Sequence, residues 1–556
     1  MLRNLQKLLL ISSGSLVWSL TMVKSGITRD YGIGFWGPNG HDGVWHISLI
    51  RSLASGSFEM PIFAGEVIKN YHVGFDLLLA LVNKITQVPI SILYFQILPP
   101  VFSVLIGALV YKFVFNWKKS KSAALWSTFF VYFGGNIGWI ITFIRDSDLA
   151  GESMFWAQPS ALTLINPPYA LSLILILSGL VVLQSQRKFS SGLLSIIFFG
   201  ILIQVKAYAG VIILGALLAT AIYEFWRVRA LNYFKLFLGS LLVSLVIFLP
   251  NLQSGSLLEF KPLWFLETMM SFPDRLGWVR FGDAMVNYRL GGQWVKAILA
   301  YGLALIIFWY GNLGARFVNE FYWVDFIKNK KRLELLDVFF GSMILIGFVM
   351  SLLFVQKGTA WNTIQFFYYS LFFISILAGI VFAGIIKTKK NIKIKKWLIL
   401  GVVVFTLPTT VSTLKHYLPT RPPAMIPNYE LEALEYLSKQ PRGVVLVMPF
   451  DREAALEAVD NPPRPLYLYE STAYVSAYSG QPVWLEDEVN LDITGYNWRS
   501  RRSQLAEILS LNNSKILEEF LEKENIAYIY VTKDSAHIGL FSEMSVDYEN
   551  ELVSIY

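Results

Sequence analysis

The stretch from Thr363 to Ile386 reads TIQFFYYSLFFISILAGIVFAGII and contains no charged residue, and the ten residues that follow it, KTKKNIKIKK, contain six lysines. About 20 consecutive apolar residues are enough to cross the hydrocarbon layer of a bilayer as an α-helix. Lysine and arginine are enriched in loops on the cytoplasmic side of membrane proteins. This stretch therefore predicts a membrane-spanning helix that ends at the cytoplasm.

Ten further apolar stretches meet the same length test, so the sequence predicts a polytopic α-helical membrane protein with about eleven transmembrane helices. With 363–386 included, the eleven stretches are 8–24, 90–115, 122–144, 168–184, 190–205, 207–226, 233–250, 294–312, 336–355, 363–386 and 397–414. Tyr71–Ile85 is too short to span and carries His72 and Asp76, which favours an interfacial or re-entrant helix. The chain of 556 residues is 54% hydrophobic and 15% charged, against about 25% charged residues in soluble domains, which excludes an ordinary soluble enzyme. It has no cysteine, which excludes disulfides and thiolate chemistry.

The distribution of basic residues predicts the orientation of these spans. If the N-terminus is cytoplasmic, the inner loops 1–7, 116–121, 185–189, 227–235, 313–335 and 387–396 hold 21 Lys and Arg. The outer loops 25–89, 145–167, 251–293 and 356–362 hold 10, although they are more than twice as long in total. We therefore expect a multi-pass protein of the plasma or inner membrane with its C-terminus outside. The net charge of +8 arises from the basic inner loops and reports topology, so no nucleic acid partner is expected. Membrane lipid is an expected partner.

The proline-rich segment 418–423 predicts a boundary between a transmembrane domain, residues 1–418 with the first outer loop 25–89, and an extracytoplasmic α/β domain, residues 419–556. The part from 420 onward has 11 basic and 22 acidic residues, the composition of a small soluble domain. Its pattern predicts helices near 430–438, 500–510 and 514–524. It predicts strands at Val444–Met448, Leu466–Tyr469, Ala473–Tyr478 and Ile526–Thr532 and a terminal pair near 544–548 and 551–556.

The first outer loop, 25–89, has the most unusual polar residues, including three of the five histidines. Asp42 follows the turn-forming run Gly37–His41 and opens an amphipathic helix that ends at Ser55-Gly56. A helix N-terminus favours a carboxylate, so Asp42 is either a simple helix cap or a functional acid at the outer membrane surface.

This context resembles the GT-C membrane glycosyltransferases that use polyprenyl-phosphate-linked sugars, in particular the aminoarabinose and mannosyl transferase branch. The resemblance rests on a first span, a long outer loop with an early acid, and a helix ending as Leu53-Ala54-Ser55-Gly56 before Pro61. Residues 70–75 and 204–210 resemble two further family segments, and the likeness covers roughly 1–415. It implies a GT-C-like fold and places Asp42 at the catalytic base. The second acid that often follows in the family is replaced here by Gly43.

The reaction that the resemblance implies is the transfer of a hexose or pentose from a polyprenyl-phosphate donor to a lipid, glycan or protein acceptor, as part of cell-envelope glycosylation. A carboxylate can take the proton of an acceptor hydroxyl, and cations can stabilise the phosphate that leaves. The cations expected at the donor phosphate are Lys206, Arg275, Arg280 and Arg289. Each of them could instead be an interfacial anchor.

Further side chains are candidates for contacts with substrate or metal. The expected substrate-binding residues are His41, His46, Tyr71, His72, Trp361 and Asn362. Loop histidines commonly form hydrogen bonds only, which disfavours zinc binding by the three histidines. Asp146 and Asp148 form an Asp-x-Asp pair similar to one that holds metal in the oligosaccharyltransferases, so a divalent ion is a candidate cofactor.

Two other functions are weighed against the transferase. A flippase, transporter or ligase-polymerase of lipid-linked glycans would also have many spans, but transporters place charges at mid-membrane and show internal repeats. Here the acids lie mostly in outer loops, and no repeat is found in the sequence. A functional C-terminal domain with the spans as a mere anchor is disfavoured by the number of spans.

Overall fold

The computed structural model describes residues 2–184, 189–252 and 258–556. The chain divides into two compact units. The first, which we call the helical unit, comprises Met1–Thr21, Pro99–Pro250 and Leu258–Tyr417. The second, which we call the mixed unit, comprises Met22–Leu98, Asn251–Leu257 and Leu418–Tyr556. The sequence-based division assigned loop 25–89 to the transmembrane domain, whereas the structure groups it with the C-terminal part of the chain.

All eleven apolar stretches predicted from the sequence form helices, and these make up most of the helical unit. In chain order the helices that correspond to them are Leu2–Val23, Ile90–Ile92 and the π-helical turn Leu93–Ile97 followed by Leu98–Lys118, Lys121–Phe133 with Gly138–Asp146, Pro167–Gln184, Phe189–Gly200 with Leu202–Val205, Ala207–Val228, Asn232–Phe248, Trp294–Leu313, Leu335–Leu353, Gln365–Thr388 and Ile392–Tyr417. The shorter helices Trp264–Ser271, Val279–Leu290 and Glu320–Lys328 connect them. Strands Leu258–Phe260 and Phe354–Gln356 pair antiparallel. The predicted inner loop 185–189 lies almost wholly outside the described residues, as does part of the loop 251–293.

Within the described residues, eight helices are long and apolar enough to cross a membrane, or nine if Lys121–Phe133 and Gly138–Asp146, which meet at a bend of 47°, form one broken span. This confirms a multi-pass α-helical membrane protein. The two other predicted spans are helical but do not pass this test: Leu2–Val23 contains several polar residues, and the helix in 190–205 is short and interrupted at Ile201.

Glycine at a helix crossing sets how closely two of these helices pack. A Cβ atom on Gly379, in Gln365–Thr388, would lie 2.1 Å from the backbone nitrogen of Ser127, in Lys121–Phe133. The Ser127 hydroxyl donates to the carbonyl of Ile376 across the same crossing, at 2.7 Å. Small residues let membrane helices approach to backbone contact and use interhelical hydrogen bonds. The helix Gln365–Thr388, whose only charged residue is Lys387 in its last turn, therefore lies in the interior of the helical unit, where most of its residues are buried.

The mixed unit is built on a four-stranded sheet that joins the two ends of the chain. Its strand order is Ile27–Arg29, Gly32–Phe35, Ala424–Pro427 and Arg464–Pro465, with Ile33 opposite Ile426 in an antiparallel pair. Because the sheet needs both segments, the first loop and the C-terminal region fold as one body.

The remaining mixed unit contains a second sheet and several helices. Its strand order is Val444–Val447, Ile526–Thr532, Val553–Ile555 and Tyr548–Glu549. The main C-terminal helices are Asn428–Ser438, Arg452–Glu457, Tyr474–Ser479, Glu488–Thr494, Trp498–Leu511 and Ser514–Lys523. In the first loop, the helices are Asp42–Ala54 and Gly74–Thr86. The second of these has 13 residues, which agrees with the expectation that Tyr71–Ile85 does not span.

Two predicted strands of this region are wrong. Leu466–Leu468 forms a turn of 3-10 helix, and Tyr474–Ser479 forms an α-helix where a strand at Ala473–Tyr478 was expected. Periodicity cannot distinguish a short buried helix from a buried strand. The buried Glu486 carboxylate accepts hydrogen bonds from the first-turn N–H groups of Val475 and Ser476, and Gly480, at φ 75°, ends the helix. These long-range contacts decide the conformation.

Candidate functional site

Asp42 is the first residue of the helix Asp42–Ala54, as the sequence predicts. The preceding residues 37–40 form a short 3-10 turn with Pro38 near its start, which fixes the direction of entry. Most of the helix is buried, yet the Asp42 side chain is 55% exposed. The positive end of the helix dipole favours the ionised carboxylate at this position. The arrangement holds a negative charge at the surface of the mixed unit on a rigid element.

Gly43 lies where the resembling family often has a second acid, and the structure shows why no side chain fits. A Cβ atom on Gly43 would lie 2.7 Å from Cζ of the Phe95 ring. Phe95 is fully buried and packs edge-to-face against Phe35 and Tyr94. An aromatic ring therefore occupies the space of a second acid next to Asp42.

Two further side chains extend from Asp42 into the interior of the mixed unit. Nδ1 of His41 lies 3.0 Å from Oδ1 of Asp42, and Nε2 of the same ring lies 3.4 Å from Oδ1 of Asp487. The exposed fraction of the side chain falls from 55% in Asp42 to 9% in His41 and 0% in Asp487. We call this row of three side chains the Asp42–His41–Asp487 chain.

Asp487 is itself fixed by the helix that it caps. It precedes Glu488–Thr494, and its carboxylate accepts the backbone N–H of Asn490 at 3.1 Å and the Asn490 side-chain amide at 2.8 Å. A capping aspartate of this kind stabilises a helix by about 1 kcal/mol. In this protein the same carboxylate also faces the ring of His41.

The charges around His41 set its protonation. Burial by itself would lower the pKa of His41, but the carboxylates of Asp487 and Asp42, with Glu470 further away, outweigh burial and raise the pKa well above its ordinary value. Burial raises the pKa of Glu470, and Asp42 and Asp487 add to the rise while His41 opposes it. The imidazolium is thus the positive centre of a cluster of three acids.

The other predicted substrate-binding residues of the first loop take part in the packing of the mixed unit. His46 is buried, and its Nδ1 lies 2.7 Å from Oδ1 of the fully buried Asp76, with the ring stacked on Tyr94. The Tyr71 hydroxyl accepts a hydrogen bond from the Trp45 indole at 3.0 Å, and its ring stacks on His72 at 4.5 Å. Burial raises the pKa of Tyr71 well above its ordinary value, and the nearby carboxylate of Asp76 raises it further. These contacts support the shape of the loop around Asp42, and roles in binding substrate stay predictions.

The predicted cations at the donor phosphate all lie in the helical unit, in different surroundings. Lys206 is 6% exposed and lies at the break between Leu202–Val205 and Ala207–Val228. Arg275 packs over the Trp156 ring, 4.1 Å from its centre, and Arg289 forms an ion pair with Glu267 at 2.9 Å. Arg280 is exposed near the start of Val279–Leu290.

Both carboxylates of the predicted metal site form ion pairs with basic side chains. Asp146 pairs with Arg145 at 3.0 Å, and Asp148 pairs with Lys415 at 2.6 Å, which lowers the pKa of Asp148. Across residues 2–184, 189–252 and 258–556, no three His, Asp or Glu side chains converge as a metal site would require. As placed, the pair does not fit a divalent ion, and the metal role stays a prediction.

The predicted contacts of the last outer loop lie on a 3-10 turn, Ala360–Ile364, of the helical unit. Trp361 is 53% exposed, whereas the amide of Asn362 donates to the hydroxyl of Thr359 at 3.1 Å. Trp361 therefore has surface to offer a ligand. Its role stays a prediction.

Sequence reasoning missed Glu470 and Asp487, which face His41 in addition to Asp42. Both also line a cleft of about 590 Å³ in the C-terminal part of the mixed unit. The cleft is bordered by further acids and tyrosines, with the ion pair of Arg502 and Glu488, 2.7 Å apart, in its wall. A signal for Asp487 was present, because the run Glu486-Asp487-Glu488 directly precedes a helix. Nothing in the sequence indicated that it meets His41.

No family model matches the sequence, and no curated protein is significantly similar to it. Comparison with solved structures shows the fold: the chain shares its fold with structures of an archaeal oligosaccharyltransferase, which confirms the predicted fold class. Among its structural neighbours is the archaeal oligosaccharyltransferase AglB from Archaeoglobus fulgidus. The AglB complex with an inhibitory peptide and a dolichol-phosphate has a TM-score of 0.52 at 11% identity, covering 95% of this chain and 69% of that chain.

Two further structures of the Archaeoglobus fulgidus oligosaccharyltransferase are similar to the chain. The complex with Zn and sulfate has a TM-score of 0.53 at 12% identity, with coverage of 94% of this chain and 68% of that one. The form tethered to an acceptor peptide with the NVT sequon has a TM-score of 0.53 at 12% identity, with coverage of 95% and 69%. At this level of identity the likeness concerns the fold.

Proposed function

We propose that this protein is a membrane glycosyltransferase of the GT-C type in which Asp42 is the general base. The observation that carries the proposal is the Asp42 carboxylate, 55% exposed at the first turn of a buried helix and backed by His41, in a chain with this fold. Specific charged partners shift the pKa of the buried His41 behind Asp42, and strongly shifted pKa values cluster at functional sites.

In the proposed reaction a sugar passes from a lipid phosphate to an acceptor. Asp42 takes the proton from the nucleophilic atom of the acceptor, and that acceptor atom forms a bond to the anomeric carbon of the sugar. The bond from the anomeric carbon to the donor phosphate oxygen breaks, and the phosphate leaves with the electron pair. General base catalysis of this kind contributes about 10²- to 10⁴-fold in rate.

The leaving phosphate needs positive charge, and the cations of the helical unit differ in how available they are. Lys206 is buried at a helix break, where a charged side chain is costly without a role. Arg280 is exposed, whereas Arg289 is already paired with Glu267. We propose Lys206 and Arg280 as the principal phosphate-binding residues, with Arg275 and Arg289 in support.

The substrate classes follow from the fold neighbours and from the sequence. The AglB structures were solved with a dolichol-phosphate in one case and with a tethered acceptor peptide in another. These ligands support a polyprenyl-phosphate sugar as donor and favour a protein acceptor over a lipid or glycan. The loop charges support a cytoplasmic N-terminus in the cell membrane, with the mixed unit outside.

A divalent ion is the candidate cofactor, since one neighbour was solved with zinc. A bound ion would supply Lewis-acid stabilisation of the phosphate. Asp146 and Asp148 are paired with Arg145 and Lys415 in this structure. Each step proposed for the reaction uses the chain's own side chains.

The test is transfer by Asp42→Asn in isolated membranes with a lipid-linked sugar and an acceptor peptide. We expect a fall of about 10²- to 10⁴-fold in transfer, with normal insertion and yield. Asp30→Asn is the matched control, because Asp30 is an exposed aspartate of the same loop whose structural contact with Asn428 uses its backbone carbonyl. Transfer by Asp42→Asn at the wild-type rate refutes the base. Lipid flipping without a new glycosidic bond would instead indicate a flippase or transporter.

A further inference from the structure

We propose that Asp487 is a positioning residue that acts through His41 on Asp42, so that a C-terminal acid controls a base in the first loop. This inference rests on the proposed function of Asp42. The contact is direct in the structure: a single imidazole ring separates the two carboxylates, at 3.0 Å and 3.4 Å from its two nitrogens.

The protonation state of the His41 ring determines how Asp487 can influence Asp42. An ionised carboxylate only accepts hydrogen bonds, so an imidazole with a carboxylate at each nitrogen needs a proton on both. His41 is then an imidazolium: its Nδ1–H donates a hydrogen bond to Asp42, and its Nε2 side forms an ion pair with Asp487 at 3.4 Å. This is a fixed cation that orients Asp42 and favours its ionised form.

The inner end of the Asp42–His41–Asp487 chain is the rigid end. Asp487 is fully buried and is held by the backbone and side-chain nitrogens of Asn490. His41 has little freedom, because its side chain is 9% exposed. Asp42, at 55% exposure, is the only one of the three that has much surface for a substrate. The orientation of the Asp42 carboxylate is therefore set by the two buried side chains behind it.

The charged groups around the ring fix the sign of the expected effect. His41 is faced by Asp42 on its own element, by Asp487 before Glu488–Thr494, and by Glu470 from the C-terminal region. Asp487→Asn removes one of these negative charges, the one 3.4 Å from Nε2 of the ring. The His41 pKa then falls, so at a given pH a smaller fraction of the rings carries a positive charge next to Asp42. A carboxylate without a neighbouring cation is ionised only at higher pH.

The first measurement is the pH dependence of transfer by the full-length protein in lipid vesicles. For Asp487→Asn we expect a fall of about 10- to 100-fold in kcat, as for other groups that orient a reactive one. We also expect the acidic limb of the pH–rate profile to move upward by about one pH unit, with KM for the donor unchanged. The matched control is Asp451→Asn, which removes another helix-capping carboxylate of the mixed unit without touching His41.

The second measurement separates positioning from a structural role. If Asp487 acts through His41, the double variant His41→Gln/Asp487→Asn transfers no more slowly than His41→Gln alone, because the two changes break one link. Additive losses overturn the proposal. NMR titration of the ring protons of His41 gives a readout that does not depend on activity, and an unchanged His41 titration in Asp487→Asn also overturns it.

The failure of this proposal and that of the proposed function can be told apart. If Asp42→Asn transfers normally, the base assignment is wrong. If Asp42→Asn is inactive and Asp487→Asn has the wild-type profile, only the positioning role is wrong. If Asp487→Asn does not accumulate in membranes, the pH–rate profile of His41→Gln is measured instead. This variant is expected to move the acidic limb in the same direction, and an unmoved limb contradicts the link.

Discussion

Glu430 gives a prediction about the stability of the mixed unit that is worked directly from its surroundings. Its carboxyl is fully buried in Asn428–Ser438 and accepts a hydrogen bond from the Tyr530 hydroxyl at 3.0 Å. Burial raises the pKa of Glu430 to about 7 from an ordinary value of 4.5, despite the hydrogen bonds from Tyr530 and Tyr474 that oppose the rise. The folded unit therefore prefers the protonated acid.

The sign and size of the pH effect follow from this preference. A group whose pKa is raised on folding contributes stability below its unfolded pKa, and that stability is lost as pH rises through the folded pKa. Each pKa unit corresponds to about 1.4 kcal/mol, so the free energy of unfolding is expected to fall by roughly 3 kcal/mol between pH 4.5 and 7. Glu430→Gln stays neutral and should lose this dependence.

The assay is hydrogen exchange measured by mass spectrometry on the full-length protein, reading peptides of strand Ile526–Thr532, which contains Tyr530. We expect wild type to become less protected from pH 5 to 8 after correction for the intrinsic exchange rate, and Glu430→Gln to lose less protection over the same range, with the remainder due to other buried acids such as Glu486. Glu435→Gln is the control, since Glu435 lies on the same helix but is exposed and paired with Lys439. Equal pH dependence in wild type and Glu430→Gln would refute the reasoning.

Three other predictions concern packing and ions. Gly379→Ala places a Cβ against the backbone of Ser127 and is expected to lower the stability of the helical unit by about 1–3 kcal/mol in thermal unfolding. Gly384→Ala on the same helix, with no atom within 4 Å of its Cβ, should be silent, and equal losses contradict the close crossing. Asp76→Ala leaves the buried His46 without its carboxylate and should cost about 3–5 kcal/mol in the same assay, whereas a loss below 1 kcal/mol speaks against the pair. If Asp146 and Asp148 hold a metal, Asp146→Asn/Asp148→Asn should raise the Mn²⁺ concentration for half-maximal transfer at least about tenfold, and an unchanged requirement contradicts that role.

The fold of the helical unit was largely predictable from the sequence, because membrane helices are decided by local composition. The charge-free run Thr363–Ile386 had to be helical, since the hydrocarbon layer leaves a backbone no other way to satisfy its hydrogen bonds. The start of the helix at Asp42 was also predictable, from a turn followed by a periodic apolar pattern. The break between Lys121–Phe133 and Gly138–Asp146 was not predicted, because a test of apolar length treats Gly134 and Gly135 as part of the span, although Gly-Gly followed by Asn136 is a turn signal.

The candidate site was only half predictable, since its second half depends on contacts between distant parts of the chain. Asp42 has a local signature, but Asp487 lies more than 400 residues away in the sequence and meets His41 through long-range pairing, which includes Gly32–Phe35 with Ala424–Pro427 and the backbone N–H of Glu486 donating to Ile62. The same reason explains the misassigned strand at Ala473–Tyr478, where Glu486 caps a helix from further along the chain. The sequence around Ala473 does not specify that carboxylate.

The most direct test of the central claim is to incubate purified protein in lipid vesicles with a set of polyprenyl-phosphate sugars and acceptor peptides, and to follow each lipid by mass spectrometry. If the protein is a transferase, one donor is consumed, and free polyprenyl phosphate and glycosylated acceptor form in equal amounts. Asp42→Asn is then expected to stop the formation of both products, whereas Asp30→Asn leaves it unchanged. A donor that crosses the bilayer with its sugar still attached, at the same rate in wild type and Asp42→Asn, would contradict the account.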